Sequence, residues 1–271
     1  MKTIPHICHL YWDHSPMALL NVFTVLSFHK QNPDWQIIIY RTIQRCGPNK
    51  FTPDYIGPDL FHLIEELDYV QIREIDLLDY GVPLSLHSCQ ASDLFRRNIL
   101  YQQGGVYSDF DTLWLKPIEH ILNIECLGNP EDFEGIVSLY EFTKGFHNVS
   151  NLISEPGSLY LWNLIQIQKT IQPPYDHQAF GSDMLNKAYP TWQDIVSKHP
   201  RMLALKYETF YPYSTFCMEQ LFVENDLSPL NNNVLGIHWF FGNKATKYFL
   251  NKELYDYPCT LNTILRKEGY L

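Results

Sequence analysis

Between Ser88 and Asp109 the chain changes its hydrophobic period within two residues, and that change limits the folds open to it. Ala91, Leu94, Phe95 and Ile99 fall on one side of a helix that the spacing predicts over 88–103. Gly104-Gly105 then supplies a stop, because glycine reaches positive φ at little cost. Val106 to Asp109 reads as a short strand leaving that helix. A helix that hands over to a strand through two glycines belongs in an alternating α/β chain. The flanking segments fit: Ile4 to Trp12 reads as a first strand ending in the turn Asp13-His14-Ser15-Pro16, and residues 17–31 suit a helix. Trp35 to Tyr40 and Tyr69 to Ile75 are of strand length, with a loop broken by Pro48, Pro53, Gly57 and Pro58 and a helix over 59–67 between them. Further on, strands are expected at Ile136 to Phe142 and Val234 to Trp239, and helices over 157–170 and 183–198.

Strands alternating with helices predict a mostly parallel central sheet flanked by helices on both faces. The breaks at 128–135, 172–176 and 228–233 are of connection length rather than linkers, so one domain over 1–271 is expected. A chain of 271 residues with 45% hydrophobic content can bury a core of that size. Its formal charge of -10 excludes a nonspecific nucleic-acid binder, which needs a basic footprint. A phosphate-bearing ligand would then need a local metal or local arginines.

No apolar stretch reaches the roughly 18 residues of a membrane span, and no secretory signal opens the chain. These features point to a soluble cytoplasmic protein and leave peripheral attachment to a membrane open. The six cysteines are scattered without the paired spacing of a zinc or redox site, so Cys8, Cys46, Cys89, Cys126, Cys217 and Cys259 are expected as free thiols.

Asp109 and Asp111 lie two apart, so in a strand they would share a face while Phe110 points into the opposite layer. In a turn just past the strand end, one carboxylate could ligate a divalent cation and the other act directly or through water. Hard cations favour oxygen ligands and commonly bridge carboxylates to phosphates. Alone, Asp-x-Asp is a common accident of a solvated loop. Asp93 and Arg96, spaced i, i+3 on one helix face, would by themselves read as a surface ion pair.

The whole segment SDLFRRNILYQQGGVYSDFD closely resembles the core of glycosyltransferase family 32, which runs Ser-Asp-x-x-Arg, Leu-Tyr, Gly-Gly, a Tyr and Asp-x-Asp. The same core occurs in the glucosyltransferase domains of large clostridial toxins. The resemblance implies a GT-A fold, a nucleotide-sugar donor, Mn²⁺ or Mg²⁺, and hexose transfer with retention of configuration. The implied donor is a UDP-hexose or GDP-mannose, the acceptor a glycan or other hydroxyl, and the setting one such as polysaccharide biosynthesis. On this template Asp93 and Arg96 hold donor-sugar hydroxyls, Asp109 and Asp111 hold the metal, and Tyr107 lines the donor site. Arg97 falls outside the motif and is expected to be exposed.

The similarity continues weakly to both ends. HICHLYW matches the family's first strand, which places Trp12 where a tryptophan stacks on the nucleobase. YETFYPYS (207–214) is similar to a segment ending Phe-Tyr-Pro, and GIHWFFGN (236–243) to the stretch whose histidine returns to the metal, here His238. Relatives carry Ser-Trp a few residues after that histidine, whereas here Trp239 follows it directly. DHQAFGSDML (176–185) falls where relatives have a Gly-Pro loop near the sugar; Ser182 replaces the proline, and Asp183 is an acceptor-side candidate. A noncatalytic nucleotide-sugar or carbohydrate-binding protein of the same fold is the alternative.

Overall fold

A computed structural model describes residues 4–44, 55–124, 126–127, 133–141, 146–250 and 257–271. Cys46, the breaks at Pro48 and Pro53, most of the 128–135 loop and Phe142 lie outside the described residues. The strands are β1 (Ile7–Trp12), β2 (Gln36–Thr42), β3 (Val70–Ile75), β4 (Gly105–Ser108), β5 (Thr112–Trp114), β6 (Cys126–Leu127), β7 (Gly135–Glu141), β8 (Phe146–Ser154), β9 (Met202–Leu205) and β10 (Gly236–His238). The helices are α1 (Leu19–Gln31), α2 (His62–Glu65), α3 (Ser88–Gln103), α4 (Leu159–Gln168), α5 (Ser182–Ala188), α6 (Trp192–Lys198), α7 (Met218–Phe222), α8 (Lys244–Leu250) and α9 (Thr260–Lys267). Eight strands form one sheet in the order β3-β2-β1-β4-β8-β7-β9-β6, and β5 with β10 forms a separate ribbon. The expected α/β arrangement, a large and mostly parallel central sheet flanked by helices, is what the chain adopts.

Every strand from β3 to β4 pairs in parallel, and β7 pairs with β9 in parallel. The exception at the centre is β8, which runs antiparallel to both β4 and β7.

Successive side chains of a strand point to opposite faces, and here both faces are buried. Tyr11, Ile38, Tyr40, Tyr107, Leu152 and Ala204 enter the layer under α3 and α4. Their neighbours Leu10, Ile37, Ile39, Val106, Ile153 and Leu203 enter the layer under α1. A third cluster joins α7, α8 and α9 to the other side of α1 through Leu20, Phe23, Trp239 and Leu261. With apolar neighbours on two sides, α1 keeps its polar side chains for specific bonds: Asn21 Nδ2 donates to Phe110 O at 2.9 Å, and Ser27 Oγ accepts from Trp114 N at 3.0 Å.

The turn from α3 into β4 needs its glycines. Gly105 has φ +94°, and a Cβ there would stand 2.4 Å from Ile7 O, so only glycine lets β4 start flush against β1. His9 locks the same junction from within the sheet. Its Nε2 bonds Gly104 O at 2.8 Å and its Nδ1 bonds the Tyr40 hydroxyl at 2.9 Å. A carbonyl only accepts, so Nε2 carries the proton and Nδ1 accepts from Tyr40. Burial depresses the His9 pKa to about 4, against the smaller raising effect of the Gly104 bond.

Two expectations are corrected. The single helix over 183–198 is two, α5 and α6, because Pro190 interrupts it and Thr191 starts the second with a capping box to Asp194. Arg97 is not exposed but fully buried, because α4 covers that side of α3; its Nε donates to Gln168 Oε1 at 2.8 Å. Burial lowers its pKa to about 10, which leaves the guanidinium charged at neutral pH. Among the described residues no helix is long and apolar enough to cross a membrane. Cys8, Cys89, Cys126, Cys217 and Cys259 are free thiols.

Candidate active site

The strand β4 ends at Ser108, and the chain then turns through Asp109-Phe110-Asp111 into β5. Backbone bonds hold this turn on two sides. Asp109 N donates to Ser150 O of β8 at 3.0 Å, and Asn21 of α1 holds Phe110 O. The sequence left open whether the two aspartates sit in the strand or past its end; they sit past it.

The ribbon brings in the third group. In the β5–β10 register His238 lies opposite Thr112, and Trp239 N donates to Asp111 O at 3.0 Å. His238 Nε2 therefore stands 2.9 Å from Asp111 Oδ1. Its other nitrogen, Nδ1, accepts from Phe240 N at 3.2 Å, which puts the proton of a neutral ring on Nε2. Phe241 N donates to Asp111 Oδ2 at 2.9 Å. The tight return after His238 puts Phe240 at φ +49°, a strained setting for a bulky residue and one common at functional sites. Ligand atoms of Asp109, Asp111 and His238 all lie within 4.8 Å of one another. Two carboxylates and one imidazole form a donor set that suits a hard or borderline divalent cation.

Arg96 occupies the opposite wall. Its Nη2 lies 3.0 Å from Asp109 Oδ1 and 3.2 Å from Asp93 Oδ1, while Nη1 donates to Asp109 Oδ2 at 3.2 Å. The i, i+3 pair expected from the sequence is present, and the fork is also engaged by Asp109. Arg96 lies 4.6 Å above the Tyr107 ring, and its Nη2 donates to Ser92 Oγ at 2.9 Å. Burial would lower the Arg96 pKa, but Asp109, Tyr107 and Asp93 together hold it above its ordinary value.

The two aspartates separate electrically. Burial raises the Asp109 pKa, helped by Asp111 and opposed by Arg96. Burial pushes Asp111 up too, but His238 and the Phe241 amide outweigh it and leave this carboxyl below its ordinary value. Asp111 is thus held ionised in place, with a second carboxylate close by.

The remaining sequence candidates are placed differently. Tyr107 is 1% exposed, bonds Ser92 Oγ at 2.7 Å and lies beneath Arg96. Trp12 packs edge-on against Phe110 at 4.9 Å between ring centroids, and its Nε1 donates to Ser15 O at 2.7 Å. It borders the turn without touching a carboxylate. Asp183 is exposed in the first turn of α5. Sequence reasoning gave no role to Asn21, Ser150 or Tyr211. The Tyr211 ring lies 5.3 Å from His238, and its hydroxyl bonds Ser150, the residue that also holds Asp109. Tyr211 does fall in the segment marked as similar to relatives; Asn21 had only the weak signal of an amide in an apolar helix.

Residues 21–127 match the family model described as a glycosyltransferase sugar-binding region containing a DXD motif. This span includes Asp93, Arg96, Asp109 and Asp111, and leaves Trp12 and His238 outside. No curated protein sequence matches the chain. Among solved structures it is similar to the PaToxG glycosyltransferase, with 18% identity over 72% of this chain and 69% of that one and a TM-score of 0.49. The ligand-free glycosyltransferase domain of the YGT toxin matches at 10% identity over 74% and 80%, TM-score 0.49. An active-site mutant of LgtC matches at 12% identity over 86% of both chains, TM-score 0.46.

Proposed function

We propose that this chain, whose residues 21–127 match a glycosyltransferase sugar-binding region containing a DXD motif, is a glycosyltransferase that transfers a hexose from a UDP-hexose or GDP-mannose to a glycan or other hydroxyl acceptor. Transfer is metal-dependent and retains configuration, and one cytoplasmic domain over 1–271 carries it out. The observation that supports this reading most strongly is the convergence of Asp109, Asp111 and His238 opposite the Arg96 fork. The site then divides its work. Asp109, Asp111 and His238 hold Mn²⁺ or Mg²⁺, which when bound supplies positive charge opposite the departing nucleoside diphosphate. Asp93 and Arg96 orient the hexose, the carboxylate accepting and the guanidinium donating hydrogen bonds. Tyr107 keeps Arg96 flat from below. Trp12 closes the nucleotide side of the turn through Phe110.

A panel of nucleotide sugars, with and without Mn²⁺, tests this by thermal shift and by donor hydrolysis. A ligand at 100 times its Kd should stabilise the protein by about 2.7 kcal/mol, so the true donor stands out from its competitors. Metal-dependent hydrolysis of one donor is the expected result. Binding without hydrolysis of any donor would instead favour the noncatalytic reading.

A further inference from the structure

A guanidinium is a poor filler for a protein interior, yet Arg97 lies fully buried where α4 covers α3. Its Nε donates to Gln168 Oε1 at 2.8 Å, while Nη1 and Nη2 have no hydrogen-bond partner among the described residues. Four N–H groups of a charged side chain are thus left without an acceptor. Apolar residues of similar volume often replace buried ions with no loss of stability, so packing alone does not account for an arginine here.

The charges around it do. Asp93 stands four residues earlier, one turn back on the same face of α3, and its side chain is 8% exposed. Burial is the main influence that lowers the Arg97 pKa; Asp93 opposes it most strongly, Tyr160 opposes it less, and Arg96 adds to it. Burial also holds the Tyr160 phenol well above its ordinary value, so that ring is neutral and Asp93 supplies the balancing charge. Asp93 therefore stands between two guanidiniums. Arg96 touches it at 3.2 Å and is forked on Asp109 at the same time. Arg97, with no N–H on a carboxylate, acts on it through charge alone.

We propose that Arg97 is a positioning residue for hexose transfer: its buried charge balances the Asp93 carboxylate from the interior, so that Arg96 can turn its N–H groups to the sugar. The inference rests on the donor reading above, in which Asp93 and Arg96 orient the hexose. As the sole cation beside Asp93 and Asp109, Arg96 would hold its donors on two carboxylates before any hydroxyl arrived. Arg97 is sealed from solvent, so it compensates charge without competing for the substrate. The same burial keeps water and salt from screening its interaction with Asp93.

The test measures Mn²⁺-dependent hydrolysis of UDP-glucose, UDP-galactose and GDP-mannose without acceptor, together with the Kd of each donor and of free UDP and GDP. Arg97→Met removes the charge and keeps an unbranched stem, so kcat should fall by about 10-fold as the sugar loses its alignment. The nucleoside diphosphate with Mn²⁺ should still bind within about twofold of wild type, because the metal ligands are untouched. The thermal midpoint of Arg97→Met should match or exceed that of wild type, which separates lost rate from lost fold. Arg97→Lys keeps the charge without the fork and should recover most of the rate. Gln168→Leu removes only the Nε bond and should leave kcat within about twofold. Wild-type kcat in Arg97→Met overturns the assignment. So does a loss in Arg97→Lys or Gln168→Leu as large as about 10-fold, because the effect then follows the hydrogen bond or the packing and not the charge. Should Arg97→Met fail to fold, the rates of the other two variants decide by the same limits. Absence of hydrolysis by the wild-type protein with every donor would overturn the glycosyltransfer reading itself, and this inference with it.

Discussion

The two walls of the site are built by opposite strategies. The Arg96 wall is one continuous helix: Asp93, Arg96 and Ser92 are fixed by α3, and Tyr107 follows directly on β4. The Asp111–His238 wall is two three-residue strands, and its members meet only because β10 returns across more than a hundred residues to pair with β5. The first wall gets its geometry from helix periodicity. The second gets it from backbone bonds that aim at the ligands themselves, with Trp239 N on Asp111 O and Phe241 N on Asp111 Oδ2. On the proposed reading the helix wall orients the sugar and the ribbon wall holds the ion.

That contrast is sharpest in substitutions that keep shape and change charge. Asp111→Asn should lower metal-dependent turnover by on the order of 100-fold or more, with unchanged far-UV circular dichroism, because ligand charge goes while the Phe241 bond can persist. Near wild-type activity would remove the ribbon wall from metal binding. Arg96→Lys should lower kcat by about 100-fold while affinity for the free nucleoside diphosphate holds, since a planar fork is replaced by a point charge and the sugar is misplaced. If the variant instead binds the diphosphate poorly and turns over normally at saturation, Arg96 serves phosphate and the two walls share one job.

Smaller changes refine the comparison. Trp12→Ala removes a buried ring from the Phe110 contact, so it should destabilise the fold by about 3 kcal/mol and weaken donor binding without altering hexose preference. Measured nucleotide affinity equal to wild type would confine Trp12 to the core. Tyr107→Phe deletes the Ser92 bond and keeps the ring under Arg96, so a cost of about 1 kcal/mol in urea unfolding and activity within a few-fold are expected. A loss in kcat as large as that of Arg96→Lys would show that the hydroxyl, rather than the ring, supports the helix wall.

The same contrast explains what could be read in advance. The bounds of α3 were legible because Ala91, Leu94, Phe95 and Ile99 mark a face and Gly104-Gly105 ends it, whereas Asp93, Arg96, Asp109 and Asp111 stood out as candidates only through the family resemblance that this segment carries. The strand β8 was not legible: FHNVSNLIS interleaves polar residues without a clear period, and although it returns antiparallel on the neighbouring β7, its place beside β4 depends on residues forty or more positions away. Arg97 misled for a related reason, since nothing local says that α4 will lie on it. His238 was found only through similarity to a family. Its approach to Asp111 depends on the β5–β10 register, a long-range pairing that no periodicity encodes.

The buried His9 gives the fold an acid-sensitive joint. Its imidazole is neutral in the folded protein, where its pKa is about 4, and titrates near 6.5 once unfolded. Between those values the unfolded chain takes up a proton that the folded chain refuses, so stability rises with pH across that window and is lost as pH falls through it. The full difference amounts to about 3 kcal/mol at pH 4, a sizeable part of a domain's margin of 5–15 kcal/mol. Protonation would also turn Nδ1 from acceptor to donor, so the Tyr40 hydroxyl would have to rotate and accept from it, while the cation sits uncompensated in the seam where β1, β2 and the α3–β4 turn meet. Unfolding free energies measured at pH 7 and pH 5 should therefore differ more in the wild-type protein than in His9→Gln, which cannot titrate. An equal difference in the two proteins would place the acid-labile joint elsewhere.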